Sequence, residues 1–281
     1  MRILCLHGVG SSGKILESQL HSFTLAVDHS YEFVFVDGPF SCERGPGIPA
    51  FLDGPFFSHT AGYSPEKMAE AHEHLEATID ELGPFDGVLG FSQGGALAIS
   101  YMYKKQMQHK IQPFKFAMIM SSVIPISANL SDCESVIQRL CVRSTDGNTQ
   151  LSSLDHDARI STEVLERIIV EARKNRALLP NIDLSVYSAG GDVSSAPRLM
   201  HPQLLKGRIW TPTVHVTGKK DYPFMRVMSE VARGVCDPRM AKQLEHSGGH
   251  HPPQKAAEVK AVVRAMDWAI TQSQRIGHIY I

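Results

Sequence analysis

Three short stretches carry side chains that could act together on an acyl group. Gly90-Phe91-Ser92-Gln93-Gly94 fits G-x-S-x-G, the pattern of a serine held on a sharp strand-to-helix turn. Three fixed positions recur by chance in about one chain in ten of this length. The context adds weight, because an apolar run precedes the motif and a helical pattern follows it. Glycines two residues either side of Ser92 relieve the crowding of such a turn and leave Oγ accessible. A serine hydroxyl attacks only when a base takes its proton. His246-Ser247-Gly248-Gly249-His250-His251-Pro252-Pro253 offers that base. Two glycines let the loop swing His250 over Ser92, with His246 and His251 as alternatives. Val216-Thr217-Gly218-Lys219-Lys220-Asp221 ends an apolar run and presents Asp221 as the acid. Asp237 competes, but it follows a helix rather than a strand. In this order His250 accepts the Ser92 proton and Asp221 fixes the imidazole tautomer. The oxyanion then needs two donors: the backbone N–H of Gln93, aided by the helix dipole, and that of Val9 after the first strand.

These groups need a frame. Short apolar runs at 3–6, 33–36, 88–91, 116–120, 213–216 and 242–244 read as strands. Helical patterns span 14–27, 65–82, 93–107 and 254–272, and Ser64-Pro65 supplies a cap and a first-turn proline. Such alternation predicts an α/β fold, a mostly parallel sheet with helices on both faces. The chain, 281 residues, is expected to form a single domain over 1–281.

Two stretches break the rhythm. Residues 38–63 lack a period, yet five of the 26 are aromatic, so this loop should pack against something. It leaves the second strand at the sheet end that hosts ligands in open α/β sheets. Phe51, Phe56 and Phe57 are therefore expected to line an apolar acyl pocket. Residues 126–208 form a long insert with one clear helix at 161–175 and polar turns such as Ser144-Thr145-Asp146-Gly147. The helix is amphipathic, and the insert is read as a cap or lid.

Composition excludes several classes. With 28 basic and 29 acidic residues, nothing favours a nucleic-acid backbone. The five cysteines are odd in number and form no CxxC pair, which argues for reduced thiols and a cytoplasmic protein. No apolar run is long enough to span a bilayer, so no membrane partner is expected, and no signal peptide is visible. The 14 histidines are many; protonating all of them would move the net charge from −1 to +13. Only His250 has a chemical task, and His7 and His246 read as loop-shaping. Neither a nicotinamide cofactor nor a metal is implied. His246, His250 and His251 lack the i, i+4 spacing of a helical zinc motif.

The Leu6-His7-Gly8 opening, Asp37-Gly38-Pro39, Gly90–Gly95, the Gly218…Asp221 turn and His246-x-Gly-Gly-His250-x-x-Pro253 together resemble the FSH-type family of serine hydrolases. This is an α/β-hydrolase family that includes fungal esterases and thioesterases. The resemblance covers about 1–125 and 208–275; the 126–208 insert is longer than the family leads one to expect. It implies hydrolysis of a carboxylic ester or thioester by Ser92, Asp221 and His250. Some members release polyketide chains from a synthase, so an acyl-carrier domain is an implied partner beside the small acyl substrate.

Two other readings compete. Gly8-Val9-Gly10-Ser11-Ser12-Gly13-Lys14 fits a phosphate-binding G-x-x-x-x-G-K loop, with Asp37 as a metal-binding aspartate. Ile15 stands where that loop needs a hydroxyl for magnesium, and the reading leaves the Ser92 turn without a purpose. The other is a hydrolase fold kept as a binding module, for which no residue speaks.

Overall fold

The computed structural model describes residues 1–143, 156–179, 182–187 and 191–277. The turn at Ser144–Gly147 lies outside the described residues. Six parallel strands make the central sheet: β1 (Arg2–Leu6), β2 (Glu32–Val36), β5 (Gly87–Phe91), β6 (Phe116–Met120), β9 (Thr213–Gly218) and β10 (Ala241–His246). Their order is β10-β9-β6-β5-β1-β2. All six expected strands are present, most of them longer by a residue or two. Two short antiparallel pairs accompany them: β3 (Phe40–Ser41) with β4 (Phe57–Ser58), and β7 (Ile126–Ser127) with β8 (Arg198–Leu199).

The strands are apolar on both faces because helices cover both. Along β1, Ile3 and Cys5 pack with α1 (Gly13–Thr24) and α8 (Ala256–Gly277), through Leu16, Leu20, Phe23, Val259 and Met266. Leu4 and Leu6 point to the other side. There they join α2 (Pro65–Leu82), α3 (Gln93–Lys104) and α7 (Pro223–Gly234). The period-two pattern of the strands thus feeds two cores at once. Ser64 caps α2 by accepting from the Lys67 N–H, and Pro65 occupies its first turn.

The insert is stitched at its base by β7 and β8. Arg198 is fully buried there and is held by backbone carbonyls: Nε donates to Leu130, one amino group to Ala196 and the other to Val193. The expected helix starts earlier than its period suggested, as α5 (His156–Val164), a π-helical turn (Leu165–Ile169) and α6 (Val170–Lys174). Its buried residues Val164, Ile168, Ile169 and Ala172 join the α3/α7 core. A further helix, α4 (Glu134–Arg143), was not expected. Its apolar positions Val136, Ile137, Leu140 and Cys141 do have helical spacing, but ten residues make fewer than three turns inside a long insert with no clear strand–helix rhythm.

Several histidines are core residues. Burial lowers the pKa of His7, His59 and His246, and takes His72 and His215 down to about 3. The folded pKa is depressed below the unfolded value near 6.5, so the unfolded chain binds protons that the folded chain refuses. Stability from these groups is present above about pH 6.5 and is lost as pH falls. His72 and His215, the two held lowest, each contribute a slope that approaches about 1.4 kcal/mol per pH unit as the pH falls below 6.5. Urea unfolding between pH 7.5 and 5.5 should therefore show uptake of at least about two protons at the acid end. A flat profile over that range would contradict the neutral, buried state of these rings.

Candidate active site

The strand order reverses direction beside β1: the chain goes from β1 to β2 on one side and then crosses to β5 on the other. The C-terminal ends of β1 and β5 bound the crevice that such a switch creates. Ser92 sits at that point with φ 52° and ψ −113°, a left-handed conformation rare for a residue with a side chain. Neighbouring backbone enforces it. The Ser92 N–H donates to the Met120 carbonyl, and the Gly94 N–H donates to that of His7. A Cβ on Gly90 would lie 2.5 Å from the Gly94 oxygen, and one on Gly94 would lie 2.3 Å from the Leu6 oxygen. Both glycines of the motif are thus required by packing between β1, β5 and α3.

The acid and the histidine arrive on paired loops. Beyond β9 and β10 the ladder continues, with the Lys219 N–H donating to His246 and the Lys220 N–H to Gly248. Gly218 permits this contact, since a Cβ there would be 2.1 Å from the Gly249 oxygen. Asp221 and His250 then meet, with Nδ1 of His250 2.9 Å from Oδ2 of Asp221. Asp221 Oδ1 accepts from the Tyr222 N–H. The Asp221 side chain is wholly shielded, and that of His250 is 12% exposed. The His250 ring packs on Phe91, the residue before Ser92, at 4.9 Å between centroids. No hydrogen bond of 3.5 Å or less joins Ser92 Oγ to the ring.

The alternatives to His250 shape its loop. His246 Nδ1 accepts from the Gly248 N–H; His251 Nε2 accepts from the Gly249 N–H, and its Nδ1 donates to the Pro252 carbonyl. Asp237 is ion-paired with Arg239 and precedes β10, at the opposite end of the sheet. It is therefore remote from Ser92.

Among the described residues the Val9 and Gln93 N–H groups find no acceptor; Gln93 follows Ser92, and Val9 follows Gly8, where a Cβ would lie 3.2 Å from that of Ser92. The Gln93 side chain has a part the sequence did not suggest. Its Oε1 accepts from the His59 N–H, and its Nε2 donates to Ser58 Oγ and to Tyr63 Oη. Tyr63 Oη in turn accepts from the Leu179 N–H of the insert. One amide thus joins the turn, the 58–63 segment and the insert. The only signal in the sequence was a polar residue in an otherwise small, apolar helix start. His7 is buried; its Nδ1 donates to the Gly8 carbonyl and its Nε2 accepts from the Gly38 N–H, tying the first loop to the second.

The glycine-rich loop at 8–14 is filled by protein. The Gly10 N–H donates to Phe57, the Gly13 N–H to Asp37 Oδ1, and Ser12 caps α1 through the Ile15 N–H. These are donors a phosphate would need, and Lys14 is exposed. A nucleotide-binding role finds no support here.

Two cavities border this end of the sheet. One, of about 490 Å³, is lined by Val9, Gly10, Phe40, Thr60, Leu178 and Leu179, with arginines at its rim. The other, of about 600 Å³, lies between the insert helix and α7, against Pro223 and Phe224 just past Asp221. The aromatic loop supplies Phe40 to the first, whereas Phe51, Phe56 and Phe57 are not in either wall. Phe51 is 82% exposed, Phe56 lies under the Arg44 guanidinium, and Phe57 pairs with Ser11 in the backbone.

Residues 1–262 match the family described as serine hydrolase, FSH1. Esterase alnB of Emericella nidulans is 39% identical over 284 residues, which span 99% of each chain. A thioesterase of Aspergillus terreus, named for dihydromonacolin L on the lovastatin nonaketide synthase, is 26% identical over 93% of this chain and 89% of that protein. Among solved structures, Arabidopsis thaliana SOBER1 covers 96% of this chain and 99% of its own at 14% identity, with a TM-score of 0.47.

The contact at Gly218 makes a specific prediction. Gly218→Ala should push the Asp221 and His250 loops apart and lower ester turnover about a hundredfold, with the circular dichroism spectrum unchanged. Turnover within threefold of the parent would show that this contact does not set the pair.

Proposed function

The chain belongs to the FSH1 family of serine hydrolases, and from that premise we propose that Ser92 is its nucleophile, His250 its base and Asp221 the acid that orients the base. The His250–Asp221 pair, placed beside the strained Ser92 turn, is the observation that carries this reading. Asp221 accepts from Nδ1–H, which leaves Nε2 free to accept the Ser92 proton. The hydrogen bond between Oγ and Nε2 closes when substrate excludes water, as is common for free enzymes. Ser92 Oγ then adds to the acyl carbonyl carbon. The oxyanion takes hydrogen bonds from the Gln93 and Val9 N–H groups, and one such donor is worth about 3 kcal/mol of barrier. The imidazolium returns its proton to the departing alcohol or thiol, giving an acyl-serine. Water, deprotonated by His250, reverses these steps and frees the acid.

The substrate we assign is a carboxylic ester or thioester of a small acyl group. The likeness to a synthase-linked thioesterase supports the thioester, with the acyl chain on a carrier domain. Residues 126–208 act as the cap of a single domain: the insert shares its core with α3 and α7 and supplies Leu178 and Leu179 to a cavity beside Val9. No helix among the described residues is long and apolar enough to cross a membrane. The five cysteines are free, which supports a reducing, cytoplasmic setting.

A fluorophosphonate probe should label the folded protein once per chain. Labelling should vanish in Ser92→Ala and fall sharply in His250→Ala, and Asp221→Asn should lower turnover of a p-nitrophenyl ester about 10⁴-fold. Labelling that persists in Ser92→Ala, or a native protein that does not label, would overturn the assignment.

A further inference from the structure

The cavity beside Val9 carries more positive charge than its chain does. Arg44, Arg173 and Arg176 line it, against one carboxylate, Glu43. The whole chain is close to neutral at −1, so this is a local concentration. Among the described residues none of the three guanidiniums is ion-paired. Arg44 lies over the Phe56 ring, 5.3 Å from its centroid, and donates to the Leu52 carbonyl, while its Nε is buried without a partner. The Asp183 carboxyl is held below its usual range by hydrogen bonds from Ser185, with Arg173 adding a lesser attraction and forming no ion pair with it.

Arg176 occupies a telling backbone position. It follows the end of α6 at φ 58°, the left-handed conformation that commonly ends a helix and that glycine adopts without strain. An arginine there gives up backbone comfort, and its side chain contributes nothing to the core. Lys110 and Cys133 share that conformation, so what bears on a ligand is the placement of the Arg176 guanidinium in the cavity wall beside Arg44 and Arg173. The cavity floor, Val9, Phe40, Leu178 and Leu179, is apolar and adjoins the proposed oxyanion donor. The Leu179 N–H is also fixed through Tyr63 to Gln93, so this wall holds its place relative to the Ser92 turn.

We propose that this cavity receives an anionic oxygen group of the substrate, with Arg173, Arg176 and Arg44 as its recognition residues. The inference rests on the serine hydrolase reading and deepens it: the preferred substrate is an acyl compound bearing a negative charge. The charge is either a carboxylate on the acyl chain or a phosphate on the leaving group. Both present oxygens to which planar guanidinium donors are suited.

Paired substrates separate the sources. One pair compares the mono-p-nitrophenyl ester of glutaric acid with p-nitrophenyl pentanoate, placing the charge on the acyl side. The other compares pentanoyl-coenzyme A with the pentanoyl thioester of N-acetylcysteamine, placing it on the leaving group. In at least one pair the anionic member should have a kcat/KM higher by about tenfold or more at low salt, and the advantage should shrink as salt screens it. The double variant Arg173→Gln/Arg176→Gly should bring that ratio to near unity while leaving turnover of the neutral member close to the parent's. Glycine at 176 suits the backbone, so the variant is expected to fold. No anionic advantage in either pair, or an advantage unchanged in the variant, would overturn the inference while the hydrolase reading stood. Failure of the parent to turn over the neutral members and to take a fluorophosphonate label would instead bring down both.

Discussion

A serine held at φ 52° is the constraint around which the molecule is arranged. Such a turn is stable only where the surrounding backbone leaves no other path. Here β5 feeds into α3 so tightly that positions 90 and 94 have no room for a Cβ, and Leu6 of the neighbouring β1 and His7 just past its end press on the same turn. The central strand pair therefore fixes the proposed nucleophile before any loop is considered. The first loop follows, because the backbone that crowds Gly94 leads directly to Val9. The histidine loop follows as well, because β9 and β10 extend the same sheet edge until Gly218 meets Gly249.

That hierarchy explains what could be read from the residues. The six strands and most sheet-covering helices were legible because each declares itself through local periodicity. Ser64-Pro65 marked a helix start by capping chemistry alone. The Ser92 turn and the Gly-Gly-His loop were legible because steric need writes glycine at fixed offsets. His7 and His246 read as loop-shaping residues, and in the fold each accepts a loop backbone N–H.

What was not legible depends on contacts between distant segments. The side chain of Gln93 acquires its meaning only when residues 58–63 and 179 come to it. Phe40, and not Phe51, Phe56 or Phe57, walls the cavity beside Val9: Phe57 pairs with Ser11, Phe56 lies under Arg44 and Phe51 is exposed. An aromatic-rich loop announces packing without saying which ring packs where. The glycine-rich stretch at 8–14 resembled a phosphate loop locally, but Phe57 and Asp37 take up its donors. Arg44 lies far in sequence from Arg173 and Arg176, so their shared cavity was invisible before folding.

The central claim is that Ser92 carries the acyl group during turnover. Rapid acid quench of the protein with a slowly released acyl ester or thioester, followed by intact-mass analysis and peptide mapping, tests it directly. The predicted result is a mass increase equal to the free carboxylic acid minus water, located on the peptide containing Ser92. The adduct should be absent in Ser92→Ala and should persist longer in His250→Ala if any forms. Turnover with no adduct under any quench, or an adduct on another residue, would contradict the account.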